Sequence, residues 1–264
     1  MKAIKKILFT VALLTGLYAS AQESNTSSPE MITDRPDATE SPNVVPKKTI
    51  QVETGGFYTS FEENDVKQEV LGYNTTLLRV GLLDNLELRL GWNFEEVQTT
   101  LGGAKLDRVA SGFSPLLAGM KVQIAEENGW MPTLGLLGHL YLPFTAGSDF
   151  KPETTGVDFR FAFGHTLSEK SSIAYNLGAA WGSDSPEAAY VYTFSYAYSL
   201  TDRVGLYAEL YGDAPENSKA NHLWDAGITY AIQNNIQLDA TVGSSITDGQ
   251  DLLISGGISF RLPQ

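Results

Sequence analysis

From Thr49 onward the chain alternates apolar and polar residues at a period of two, in segment after segment, and shows no run at helical period. Leu86, Leu88, Leu90, Trp92 and Phe94 alternate with Glu87, Arg89, Gly91 and Asn93, and Ile236, Leu238, Ala240 and Val242 alternate with Gln237, Asp239, Thr241 and Gly243. Successive side chains of a strand point to opposite faces, so each segment reads as a strand with one dry face and one wet one. The segments run to about ten residues, against five or six in a typical soluble sheet, and about ten tilted residues is the length that crosses a hydrocarbon core. No stretch approaches the ~18 uninterrupted apolar residues of a spanning helix.

About twelve such segments can be counted, near 49–60, 69–81, 85–97, 111–125, 131–144, 153–167, 171–182, 187–200, 203–213, 220–232, 235–246 and 250–262. Tight turns are expected at Leu82–Asn85, Glu126–Gly129, Ser168–Lys170, Thr201–Arg203 and Gln233–Asn235. Longer polar links fall between them at Phe61–Gln68, Glu96–Ala110, Thr145–Pro152 and Asp213–Lys219. Short turns at one rim and long links at the other are the habit of outer-membrane barrels. The expected fold is therefore all-β: a closed antiparallel transmembrane β-barrel of about twelve strands, up-and-down in topology, over 49–264. A water-soluble sandwich or barrel is the alternative that the same rhythm allows.

The first residues name a compartment. Lys2, Lys5 and Lys6 precede the apolar run Ile7–Leu17, and Ala19-Ser20-Ala21 gives the small-x-small pattern of a signal-peptidase site, so 1–21 reads as a cleaved signal peptide. Residues 22–48, rich in Ser, Thr, Asn and Pro, read as a periplasmic leader, with a fold back into the lumen as a partial plug the alternative. An even strand count places both termini on the periplasmic side of a bacterial outer membrane. Losing the signal leaves 15 basic residues against 31 acidic ones, a net charge of −16, which argues against nucleic acid. With no cysteine, lipid attachment to Cys, disulfides and thiolate chemistry are excluded.

The strand parities put Glu53, Arg79, Glu87, Arg89, Lys121, His139, Asp158, Arg160, Glu209, Asp225, Asp239 and Arg261 on the face that would line a narrow wet lumen. Mixed signs permit a paired network across it, which either fills the barrel or selects a small polar or aromatic solute. Tyr73, Tyr141, Tyr207 and Tyr211 share that face and could stack on an aromatic solute. Trp92, Phe94, Phe144, Tyr175, Trp181, Trp224, Tyr230 and Phe260 fall near segment ends on the apolar face, where interfacial girdles sit.

Catalysis finds little support. Twelve strands is also the size of outer-membrane phospholipases, but none of His139, His165 and His222 has a serine two residues on. The acidic loops Glu62–Asp65 and Asp248–Asp251 lack Ca²⁺-loop spacing, so neither metal nor cofactor is expected.

The tract Ile32-Thr33-Asp34-Arg35-Pro36-Asp37-Ala38-Thr39-Glu40-Ser41, followed by Val44-Val45-Pro46-Lys47-Lys48 and Ile50-Gln51-Val52-Glu53-Thr54-Gly55, resembles the opening of the outer-membrane "meta-pathway of phenol degradation" family of transporters. The resemblance implies an exported barrel linked to aromatic-compound catabolism and carries over no ligand residues. Many outer-membrane barrels end on an aromatic residue, whereas this chain ends Phe260-Arg261-Leu262-Pro263-Gln264. The expected function is a passive transporter or narrow channel for small solutes, possibly aromatic ones; a structural or adhesion barrel, or a barrel hydrolase, are the alternatives. Its expected partners are outer-membrane lipid, a small solute and the barrel-assembly machinery, with the chain itself a monomer.

Overall fold

The computed structural model describes residues 31–182, 184–247 and 249–262. The signal-peptide expectation and the first part of the leader lie outside them, as do Ser183, Asp248 and the last two residues.

Thirteen strands follow one another: β1 Ile50–Glu63, β2 Val66–Leu83, β3 Leu86–Leu101, β4 Ala104–Phe113, β5 Leu116–Ala125, β6 Thr133–Leu142, β7 Gly156–Ser168, β8 Ser171–Trp181, β9 Ala188–Ser199, β10 Val204–Pro215, β11 Asn221–Gln233, β12 Ile236–Ser245 and β13 Gln250–Arg261. All pairings are antiparallel and, apart from β3 with β5, join sequence neighbours, while β1 pairs with β13, so the sheet closes on itself. Closure removes the open edges that lipid cannot satisfy.

The wall nevertheless has twelve staves, because β4 and β5 are two halves of one. β3 pairs through Phe94–Leu101 with β4 and through Leu86–Gly91 with β5. Between the halves lies Ser114-Pro115; the proline has no N–H for a ladder, while the Ser114 amide still donates to the Asn93 carbonyl at 3.0 Å. The result is a closed twelve-stranded antiparallel barrel.

Two of the links expected to be long are instead tight hairpins. β1 and β2 join at Asn64-Asp65 (φ 50° and 62°), and β3 and β4 at Gly102-Gly103 (φ 55° and 81°). Left-handed backbone at both central residues is what a two-residue hairpin turn needs. The strands therefore run on past the barrel wall: β2 has 18 residues, and most of β4 is exposed. On the opposite rim, the Glu126–Gly129 turn extends to Pro132, with a small bridge between Asn128 and Met131.

The long link 143–155, which opens with a 3-10 turn at Pro143–Thr145, packs on β4. Its Asp149 accepts from the Ser111 amide at 3.1 Å and from Arg108 at 2.7 Å; those donors hold its carboxyl below the usual range.

The two faces of the wall differ sharply. Leu206, Leu210, Ile228, Leu238, Val242 and Ile254 are exposed on the outside, while the alternate positions Glu209, Asp225, Asp239 and Ser259 are buried inside. A core of charge inside an apolar jacket is the reverse of a soluble barrel. The aromatic positions Trp92, Phe94, Trp181, Trp224, Tyr230 and Phe260 share the outer face, and Phe94 stacks edge-on against Phe113 at 5.1 Å.

If the outer face meets lipid, Leu238→Arg, at an exposed outward position, should lower the unfolding free energy in bilayers by about 2–4 kcal/mol. Urea titration of the refolded protein in vesicles reads this directly.

Candidate functional site: a charged interior and its internal strap

The interior is organised by cross-strand neighbours. Arg79 on β2 lies directly opposite Arg89 on β3, and Glu87 on β3 lies opposite Lys121 on β5. Across the barrel, Glu209 on β10 faces Asp225 on β11. Like charges directly opposite one another are unfavourable, so each wall needs charges from elsewhere.

The segment 31–49 supplies them. It runs inside the barrel, with hydrogen bonds to inward side chains of nine strands. The amides of Asp34 and Arg35 both donate to Glu53 Oε2 at 3.0 Å, and the Val45 amide donates to Glu87 Oε2 at 2.8 Å. The Ala38 amide donates to Glu209 Oε2 at 2.7 Å, and the Thr39 hydroxyl bonds to Glu209 Oε1 and Thr193. Asn176 on β8 clamps the backbone of Glu40 from both sides: its Oδ1 accepts from the Glu40 amide at 2.7 Å, and its Nδ2 donates to the Glu40 carbonyl at 2.9 Å. Glycines in the wall give the strap room. A Cβ at Gly135 would lie 2.7 Å from the Pro42 carbonyl oxygen, and one at Gly257 would lie 2.5 Å from the Arg35 guanidinium.

Asp34 is the hub. Its carboxylate lies 3.1 Å from Arg79 Nη1, 2.7 Å from Arg89 Nη1 and 2.8 Å from Lys121 Nζ. Arg79 grips Glu87 with two parallel bonds of 2.9 Å and reaches Glu53 at 2.9 Å. Arg89 Nη2 reaches both Glu40 oxygens at 2.8 Å. On the opposite wall the strap reverses sign: Arg35 Nη2 pairs with Asp239 at 2.9 Å, with Nε at 3.3 Å from the second oxygen. The strap thus offers acids to the basic wall and a base to the acidic one.

All twelve positions expected on the lumen face are buried except Arg160, which is half-buried. Eight fall into two groups: Glu53, Arg79, Glu87, Arg89 and Lys121 meet around Asp34, and Glu209, Asp225 and Asp239 form the acidic wall. His139 and Asp158 make a separate pair, Nδ1 to Oδ1 at 2.9 Å, with the Tyr141 hydroxyl donating to Asp158 Oδ2 at 2.9 Å. Arg160 reaches the Ala38 carbonyl at 3.4 Å, and Arg261 reaches Gln51 at 3.3 Å.

Tyr73 does not join the other tyrosines. A bulge at Asn74 (φ 51°) shifts the parity of β2, so Tyr73 faces outward beside Phe94 and bonds Glu96 at 2.9 Å. The sequence reading missed Asp34, Arg35, Glu40 and Asn176 as site residues. The density of charge in Asp34-Arg35-Pro36-Asp37 was the available signal for the strap, and the inward parity of β8 for Asn176.

Two chambers flank the strap. One of about 310 Å³, toward the rim of the 143–155 link, is bounded by Arg35, Glu40, Leu77, Arg89, Leu117 and Tyr141. The other, of about 390 Å³, lies toward the rim of the short turns and is bounded by Arg35, Asp37, Tyr207, Thr229 and Gln237. Arg35 borders both.

A closed barrel with an apolar jacket and a charged interior defines an integral outer-membrane β-barrel, and its structural neighbours belong to that class. An outer-membrane channel from Pseudomonas putida F1 superposes with a TM-score of 0.61 at 16% identity, covering 91% of this chain and 100% of that one. A KdgM porin in complex with disordered oligogalacturonate gives 0.53 at 9% identity (80% and 98% covered), and the translocator domain of the autotransporter NalP from Neisseria meningitidis gives 0.53 at 12% (83% and 90%). A search of curated proteins found no match. The chain belongs to the family described as "Putative MetA-pathway of phenol degradation", which matches residues 33–262.

Thr39 and Thr193 hydroxyls lie 2.7 Å apart, so the double variant Thr39→Cys/Thr193→Cys should form an intramolecular disulfide on mild oxidation. A non-reducing gel after proteolysis between the two positions reads it. Arg79→Ala should destabilise the barrel by about 3–5 kcal/mol, because it strands buried carboxylates, whereas Lys47→Ala, at the exposed pair with Asp84, should change little.

Proposed function

We propose that the protein is an outer-membrane channel for small polar and aromatic solutes, with the strap as a partial plug. Both termini face the periplasm, a monomer is the working unit, and the barrel-assembly machinery inserts it. The twelve lumen-face residues are the selectivity lining. The observation that carries this reading is the pair of chambers inside a charged barrel, one on each side of the strap, with Arg35 as their shared border. Neither chamber suits a wholly apolar guest: Leu77, Leu117 and Tyr141 offer a body-sized apolar patch, while Arg35, Arg89 and Glu40 offer charge at the same place. A small aromatic with a polar substituent fits that lining, in keeping with the family's link to phenol degradation.

Planar-bilayer recording tests the reading. The intact chain should carry a small ion current that phenolic solutes reduce. Arg35→Ala, which opens the border between the chambers, should raise that current severalfold. Correctly folded, inserted protein that stays silent in both forms would contradict a channel.

A further inference from the structure

The basic wall holds more positive charge than it can balance by itself. Arg79, Arg89 and Lys121 rise from β2, β3 and β5, each with a side chain no more than 1% exposed. Wall carboxylates within reach are Glu53 and Glu87, two acids for three bases. Lys121 is the one left short: its wall acid, Glu87, is 4.0 Å away, and the strap's Glu40, whose two oxygens both accept from Arg89, is 3.4 Å away, whereas both oxygens of Asp34 lie within 2.9 Å. A buried cation without a counter-ion is costly, so this corner calls for a carboxylate whichever molecule brings it.

Asp34 answers that need with a side chain that is chemically an acetate on a tether. Its carboxylate forms ion pairs with all three cations and accepts hydrogen bonds from Arg89 and Lys121, the arrangement expected of a bound anion. Arg89 and Glu40, which belong to this corner, also line the chamber of about 310 Å³ whose apolar side is Leu77, Leu117 and Tyr141. A ligand with its carboxylate on the three bases would therefore have space for a small apolar or aromatic body. A second negative charge on that body would approach the acidic wall of Glu209, Asp225 and Asp239, so the preferred guest carries one carboxylate only.

We propose that Arg79, Arg89 and Lys121 form a binding site for small monocarboxylates, and that Asp34 occupies it at rest as a tethered surrogate. This rests on the channel reading for its role in transport, but the binding step stands apart from conduction. Displacement of Asp34 by a solute carboxylate frees the strap at its hub. It couples arrival of the right solute to loosening of the segment between the two chambers.

The test uses the full chain refolded in detergent, with the folded fraction checked by the difference in gel mobility between heated and unheated protein. Acetate and benzoate are titrated calorimetrically into the intact protein, Asp34→Ala and Asp34→Ala/Lys121→Met. Asp34→Ala should bind both, at least about tenfold more tightly than the intact protein, as an emptied charged site would. Adding Lys121→Met should weaken binding by at least about tenfold, and neutral phenol should bind Asp34→Ala more weakly than benzoate. If Asp34→Ala fails to fold, the isosteric Asp34→Asn replaces it, with the same ordering expected. Folded protein that binds neither carboxylate, binding indifferent to Lys121→Met, or phenol bound as well as benzoate would each overturn the site. Bilayer recording on the same samples separates the two readings: binding with silent, inserted barrels sinks the channel and keeps the site, whereas conduction without binding does the reverse.

Discussion

Three bases converging on one carboxylate is the interaction around which the interior is arranged. Arg79, Arg89 and Lys121 cannot share a dry wall without acids between them, and Glu53 and Glu87 cover only part of the need. Asp34 completes the cluster from a segment that belongs to no strand. Geometry then propagates from that point. With the Asp34 side chain fixed, its own amide and that of Arg35 fall on Glu53, the Ser41 amide folds back onto Asp34 at 2.9 Å, and the chain between them is bent into the lumen. Glu40 is thereby delivered to Arg89, and Arg35 to Asp239.

The barrel makes this arrangement both possible and necessary. Its outer face must be apolar to meet lipid, so every charge that the chain carries at membrane depth has to point inward. Two-residue periodicity then crowds acids and bases into a tube too narrow to hydrate them all. Separation of basic residues on β2, β3 and β5 from acidic ones on β10, β11 and β12 leaves a gap that a zwitterionic stretch of chain can bridge. In the proposed function, a solute carrying similar groups would compete for the same contacts, which makes the strap a template for what passes.

Much of this was legible in the residues. Period-two alternation located the wall, its apolar exterior and the buried faces of Glu87, Arg89, Asp158 and Glu209, because lipid on one side and charge on the other leave an unmistakable pattern. Where the pattern weakened, the reading failed for physical reasons. Above the wall both faces of β3 and β4 meet solvent, so alternation disappears and those residues looked like a loop, although Gly102-Gly103 is a hairpin signal. The bulge at Asn74 turned Tyr73 outward without any change in composition. The seat of Asp34 was hidden more deeply. Its three basic partners lie 45 to 87 positions away in sequence, and several of the strap's bonds join backbone amides to wall carboxylates, which have no periodic signature.

Hydrogen exchange of the strap amides tests the central claim, that residues 31–49 are held inside the barrel by its charged wall. The amides of Asp34, Arg35, Ala38, Glu40 and Val45 all donate to buried wall side chains. In the folded protein they should exchange as slowly as amides of the strand ladder, far slower than an exposed chain of the same sequence. Exchange at the rate of a free chain, in a barrel whose strands remain protected, would contradict the account.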